Sequence, residues 1–266
     1  ALGFLAADAS AGVLAVEGRE ASLGAVEVRV RRGADEVFRS ALPIRSSSVR
    51  DFYRWFNFRH VAGGTEDRAT DLWEPSNNPD VESNGKSVVF IHGFNVDEEG
   101  AGEWTDTMFK RLWWSGSRAK FYGACWRGDQ GLPTGFHYHE NVVNAFNTAS
   151  NFAQAVSALS GEKTVIAHSL GNMVVSSAIQ DYGMQVDHFL MCNAAVPAEA
   201  FDGSLFDEDP ANVMVHENWQ ALTNACWSPN FHGYFASDEN DDRRLLTWQG
   251  RFADVLIRTD VHNSYS

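Results

Sequence analysis

Basic residues are scarce in this chain. Among 266 residues, 21 are Lys or Arg against 35 Asp or Glu, a formal net charge of −14. A surface of that sign repels a phosphate backbone, so no nucleic-acid partner is expected. Cysteine is rarer still, with Cys125, Cys192 and Cys226 the full set and no C-x-x-C spacing. That pattern argues against a thiolate zinc site and offers no disulfide framework. Cys125 and Cys192 sit in apolar runs, FYGACW and FLMCNA, where a thiol acts as a small buried hydrophobe. No metal and no cofactor is expected. No run of 18 or more apolar residues exists, so no transmembrane segment is expected. The apolar opening ALGFLAADASAGVLAV lacks a basic leader and carries Asp8, which makes it a poor signal peptide. A start at Ala1 rather than Met fits a mature product or a piece of a longer protein. The compartment stays open, with a secreted or cell-surface setting slightly favoured over a cytoplasmic one.

Apolar material is ample. Hydrophobic residues make up 44% of the chain, with 9 Trp and 18 Phe, enough to pack one domain of ordinary size or one with a small appendage. Residues 11–40 alternate in the two-residue period of half-buried strands, with Val26, Val28 and Val30 on one face and Glu27, Arg29 and Arg31 on the other. The aromatic-rich VRDFYRWFNFR (49–59) is expected to be a helix. GGTEDRATDLWEPSNNPDVESNGK then reads as a linker or long surface loop, and a boundary is placed near Asn84. This divides the chain into a β-rich segment with linker, 1–84, and a second domain, 85–266.

Beyond Asn84 strands and helices alternate. SVVFIHG is an unbroken apolar run, the mark of a strand covered on both faces. EWTDTMFKRLWW puts Trp104, Met108 and Leu112 on one helical stripe. KFYGACW is a second strand, and the next helix carries Val142, Phe146, Ala149, Ala153 and Val156. TVIAH is a third strand, LGNMVVSSAIQDYG a helix closed by Gly183, and HFLMCNAAVP a fourth strand. Such alternation predicts an α/β fold, a mostly parallel sheet flanked by helices.

The junction between TVIAH and LGNMVV places Ser169 on a sharp strand-to-helix turn. Ala167 and Gly171 flank it at the positions where only small residues let the turn pass its neighbours. A helix N-terminus there supplies free N–H groups and a positive dipole end where an oxyanion would form.

AHSLG in this setting resembles the nucleophile elbow of the α/β-hydrolase superfamily, in the His-Ser form common among lipases. VVFIHGFNV resembles the oxyanion strand and loop of the same fold. The likeness covers about Ser87 to Val196. CWRGD and the long helix after it resemble a poorly characterised bacterial branch, from which no specific substrate can be carried over. The resemblance implies Ser169 as nucleophile and the backbone N–H groups of Phe94 and Leu170 as oxyanion hole. A serine hydroxyl needs a histidine base oriented by a carboxylate. His92 and His168 are read as loop braces. The superfamily's chain order of serine, acid and histidine then implies Asp238 and His262. Here FHGYFAS would be a strand, RRLLTWQGRF a helix and ADVLIRTDV the last strand. The alternative is that VLIRTDVHNSYS is itself the strand that precedes the acid, leaving His262 a strand residue and the domain incomplete and inactive.

Other features have plainer readings. The RGD at Arg127 to Asp129 is expected to be an ordinary loop, and DENDD (Asp238 to Asp242) a solvated acidic loop without the glycine and distal Glu of a calcium-binding helix–loop–helix. The aromatic segment 198–230 lies where hydrolases insert a cap, with packed core helix as the rival. The function implied is a serine hydrolase, cleaving a carboxylic ester of a small-molecule acyl substrate through an acyl-enzyme. A peptidase or acyltransferase on the same scaffold, and a non-catalytic interaction module of a larger surface protein, are the alternatives.

Overall fold

The computed structural model describes residues 26–42, 48–59, 71–73, 83–129, 138–205, 248 and 250–264. The chain divides into two compact units, Ala1–Asp51 and Phe52–Ser266. In the first, β1 (Val26–Arg32) and β2 (Asp35–Leu42) form an antiparallel hairpin. Its turn uses Gly33 at φ 63, a conformation that glycine adopts without strain. The strands match the alternation, but half-burial is not seen: Val30, Val37 and Phe38 are each about half exposed.

The second unit is built on a seven-stranded sheet. Its strands are β3 (Arg54–Asn57), β4 (Asp71–Trp73), β5 (Ser87–Ile91), β6 (Lys120–Cys125), β7 (Lys163–His168), β8 (His188–Cys192) and β9 (Asp260–Ser264). The order is β4-β3-β6-β5-β7-β8-β9, with only the β3–β4 pair antiparallel. The α/β class is therefore as expected. Two assignments change. Residues 49–59 form a short 3-10 turn followed by β3, not a helix. Because β3 and β4 join the main sheet, the boundary falls near Phe52 rather than Asn84.

Helices α1 (Glu98–Trp114), α2 (Tyr138–Ser157) and α3 (Gly171–Tyr182) connect the central strands, and a single turn, α4 (Val255–Arg258), leads into β9. The path steps from β5 to β6 in one direction and from β6 to β7 in the other. Right-handed crossovers therefore put α1 on one face of the sheet and α2 with α3 on the opposite face. Side-chain alternation agrees. Val89, Ile91, Tyr122 and Ala124 belong to the core under α2 and α3, while Phe121 packs on Phe109 of α1 with ring centroids 5.6 Å apart. In α2, Val142, Phe146, Ala149, Ala153 and Val156 are buried, as the spacing predicts. Burying a side chain such as Phe152, which is fully enclosed, contributes about 1.5–3 kcal/mol.

In α1 the buried face is Ala101, Gly102, Thr105 and Phe109, not the Trp104–Met108–Leu112 stripe. The reason is distance: a Cβ on Gly123 of β6 would lie 2.5 Å from the Thr105 methyl, so at Thr105 α1 rides too close to the sheet for a large side chain. Asp97 caps this helix by accepting from the Gly100 N–H at 2.8 Å. Asp97→Ala is expected to lower stability by about 1 kcal/mol in urea unfolding, and an unchanged midpoint would show the cap to be idle. Among the described residues, no helix is long and apolar enough to cross a membrane.

Candidate active site

Three neighbouring strands deliver the site. β5, β7 and β8 are adjacent and parallel, and the chain leaves β5 into α1 on one face of the sheet and β7 into α3 on the other. Such a reversal opens a crevice outside the carboxyl ends of the strands. Two loops meet there: residues 92–97 after β5, and the turn from β7 into α3.

Ser169 occupies that turn at φ 50, in the left-handed region that a non-glycine residue rarely enters. β7 ends at His168 and α3 starts at Gly171, so the reversal is made in two residues. The turn is braced on every side. Ser169 donates its N–H to the Cys192 carbonyl (3.0 Å), and its own carbonyl accepts from the N–H groups of Asn172 and Ala195, both at 3.1 Å. The Asn172 side-chain amide donates to the carbonyls of Ala167 (3.1 Å) and Ser169 (2.9 Å). The serine is half-buried.

The small residues are explained by contacts. A Cβ on Gly171 would lie 2.5 Å from the His92 carbonyl oxygen, and one on Gly93 would lie 2.7 Å from Ser169 Cβ. The 93–94 peptide therefore passes directly beside the serine. The N–H of Leu170 belongs to the first turn of α3, where backbone donors lack intrahelical acceptors.

His92 fixes the other loop. It is buried (1% exposed), and both ring nitrogens are engaged. Nδ1–H donates to the Gly93 carbonyl at 2.9 Å, and Nε2 accepts the Trp126 N–H at 3.1 Å. The Trp126 indole donates in turn to the His92 carbonyl at 2.8 Å. These partners require the neutral Nδ1–H form. Burial, the largest influence, pushes the His92 pKa down to about 4. It is a loop brace, as expected. His168 packs its ring 4.7 Å from that of Trp104, and burial lowers its pKa as well. Its Nδ1 and the Asn172 Oδ1 are buried without a hydrogen-bond partner among the described residues.

Asp129 is the last residue of the RGD triplet. It takes a bidentate bond from Arg59 at 2.9 and 2.8 Å, with Arg59 Nη1 also donating to the Trp126 carbonyl at 3.3 Å. The pair ties β3 to the loop after β6, and that loop holds the 92–97 segment through Asn95 N–H donating to the Gly128 carbonyl at 2.7 Å. Neither described thiol competes with Ser169. Burial pushes Cys125 up to about 12 and raises Cys192, leaving both protonated and inert.

The expectation for His262 is overturned. It lies within β9, in register with Leu190 of β8, and its Nε2 meets Asp260 at 3.0 Å. Two strand spacings of about 4.8 Å separate β9 from β7, and the ring turns towards the amino end of its own strand, away from Ser169. His262 is thus a strand residue, but VLIR before it is a helical turn, so the strand expected over ADVLIRTDV or VLIRTDVHNSYS begins only at Asp260. Among the described residues no imidazole is hydrogen-bonded to Ser169. Asp238, FHGYFAS and DENDD lie outside the described residues, as do residues 206–247 of the expected cap region and its surroundings. Of that cap, 198–205 forms two 3-10 turns tied to the later chain, with Gly250 N–H donating to the Glu199 carbonyl at 2.8 Å.

Asn95, Asn172 and Asn193 were not singled out in the sequence. Asn95 and Asn193 take φ 62 and 46, a conformation asparagine tolerates better than most residues, so FN and CN at strand ends were the available signal. A recess of about 670 Å³ lies at the amino edge of the sheet, lined by Gly161, Lys163, Gly183, Gln185, Val186, Asp187 and Arg258. It lies at the opposite end of β7 from Ser169. No protein-family model and no curated protein matches this chain.

Proposed function

We propose that this chain is a serine hydrolase of the α/β-hydrolase type that cleaves carboxylic esters through an acyl-enzyme at Ser169. One observation carries the reading: a serine at φ 50 between a central parallel strand and a helix, at the carboxyl edge of the sheet, pressed against the glycine of a second loop. A helix cap needs none of this strain, since capping residues lie in the extended region. Ser169 Oγ attacks the ester carbonyl carbon as its proton passes to a base. The oxyanion is held by the N–H groups of Phe94 and Leu170, and the alcohol leaves with the proton. Water then adds to the acyl-enzyme, releasing the acid and restoring the serine. The base then belongs to a side chain outside the described residues. His92 is locked as a neutral brace, His168 is stacked on Trp104 with no bond to Ser169, and His188 and His262 stand on β8 and β9 away from the turn.

Trp104 and Met108, with Glu103, Thr107 and Arg111, line a groove of about 460 Å³ on α1, and Trp104 rests on the ring next to the nucleophile. An acyl chain suits that wall better than a sugar. The second reading is a non-catalytic module. A fluorophosphonate probe separates the two. The folded chain is expected to be labelled once, and Ser169→Ala to lose all label. A folded chain that resists the probe overturns the hydrolase reading, as does label that persists in Ser169→Ala.

A further inference from the structure

Away from Ser169, at the amino-terminal half of β8 and β9, three potential ligands share one face of the sheet. His188 opens β8 directly opposite Asp260, the first residue of β9, and His262 follows two residues later on the same face. His188 Nδ1 lies 3.1 Å and His262 Nε2 3.0 Å from the same oxygen, Asp260 Oδ2. One donor atom from each residue falls within 4.8 Å of the others.

We propose that His188, Asp260 and His262 form a binding site for a borderline divalent cation of the Zn²⁺ kind, with water in the remaining position. Two imidazoles and one carboxylate favour zinc and its neighbours over calcium or magnesium, which take oxygen ligands. The scarcity of cysteine that argued against a thiolate site has no bearing on this donor set. Glu162 supplies the second argument. Its Oε1 lies 3.6 Å from His188 Nε2, and Lys86 holds the same carboxylate at 2.8 Å. His188 therefore stands between two carboxylates, with Nδ1 towards Asp260 and Nε2 towards Glu162. A cation on Nδ1 would leave Nε2–H directed at Glu162. This is the carboxylate–histidine–metal arrangement that orients ligating imidazoles. Access is open: Glu162, His188 and Asp260 border a recess of about 480 Å³, and the His262 side chain is 60% exposed. The cation would join β9 to β8 by side chains as well as by backbone.

The test is a titration of the metal-stripped full chain with Zn²⁺ by calorimetry and with Co²⁺ by visible absorption. One equivalent is expected to bind, with a Co²⁺ spectrum of nitrogen and oxygen ligands lacking a thiolate charge-transfer band. His188→Ala and His262→Ala are expected to abolish that equivalent while circular dichroism stays unchanged. Glu162→Gln is expected to weaken it about 10- to 100-fold. Zn²⁺ should raise the thermal midpoint of the parent chain and leave that of the double His variant where it was. The competing ligands are His137 and His139, two residues apart in the sequence. Binding that survives His188→Ala/His262→Ala, or that is lost in His137→Ala/His139→Ala instead, overturns the proposal. So does a parent chain that binds no Zn²⁺, in which case the trio is a proton-bridged cluster only.

Discussion

Alanine at Gly171 is expected to lower the free energy of unfolding by about 1–3 kcal/mol, and valine by about 4 kcal/mol or more. The added Cβ would sit 2.5 Å from the His92 carbonyl oxygen and 3.1 Å from that of Ile91. Both are backbone atoms at the end of β5, which cannot rotate aside as a side chain can. Relief would require α3 to lift from the sheet, yet residues 171–179 of α3 are buried without exception. Against a total stability of about 5–15 kcal/mol, the valine variant should be largely unfolded in mild denaturant. Gly183→Ala is the control. It also ends α3, at φ 67, but with no atom within 4 Å of the added Cβ, so only conformational strain of about 1 kcal/mol is expected. Equal midpoints for the two alanine variants in urea unfolding would mean that α3 does not press on β5.

Acid should weaken the fold through His92 before the carboxylates are protonated. Its pKa is near 4 in the folded chain against an ordinary 6.5. Between those values the unfolded chain carries a proton that the folded chain does not, so the free energy of unfolding rises with pH across this window. Stability is then complete above pH 6.5 and falls by about 3 kcal/mol on going down to pH 4, at about 1.36 kcal/mol per unit of pKa difference. Half-buried His168 adds to the same trend, with a smaller effect because solvent screens it. In urea unfolding across pH 4–7, His92→Asn is expected to be less stable at neutral pH and to show a flatter slope. An unaltered slope, or a His92 ring resonance that titrates near 6.5, would refute the assignment.

The central strands and both motif turns could be read from residue patterns because local chemistry dictates them. VVFIHG and TVIAHSLG each combine an apolar run with small residues that only a close-packed turn demands. The errors have physical causes. Arg54 interrupts YRWFNF, yet it is buried at 5% exposure with its guanidinium 5.4 Å over the Tyr122 ring. A cation held that way hides a strand from any hydrophobic count. In α1 the large apolar residues suggested the wrong face, since close approach to Gly123 selects small side chains that carry little hydrophobic signal. His262 was misplaced for a third reason. Pattern alone sets no strand neighbour, and the 67 residues between β8 (ending at Cys192) and β9 (starting at Asp260) give no clue that the two pair.

Asn95, Ser169 and Asn193 are the described non-glycine residues with positive φ, and they stand beyond the carboxyl ends of β5, β7 and β8, side by side. Each such conformation costs about 1–2 kcal/mol in a residue with a Cβ. The protein thus concentrates its least comfortable backbone along one rim and keeps it there with packing from the rest of the sheet. Mutational drift under selection for stability alone would favour glycine at these positions. In this chain all three positions carry a side chain where glycine would relieve the strain, so the backbone of this rim is not the one that stability alone would choose.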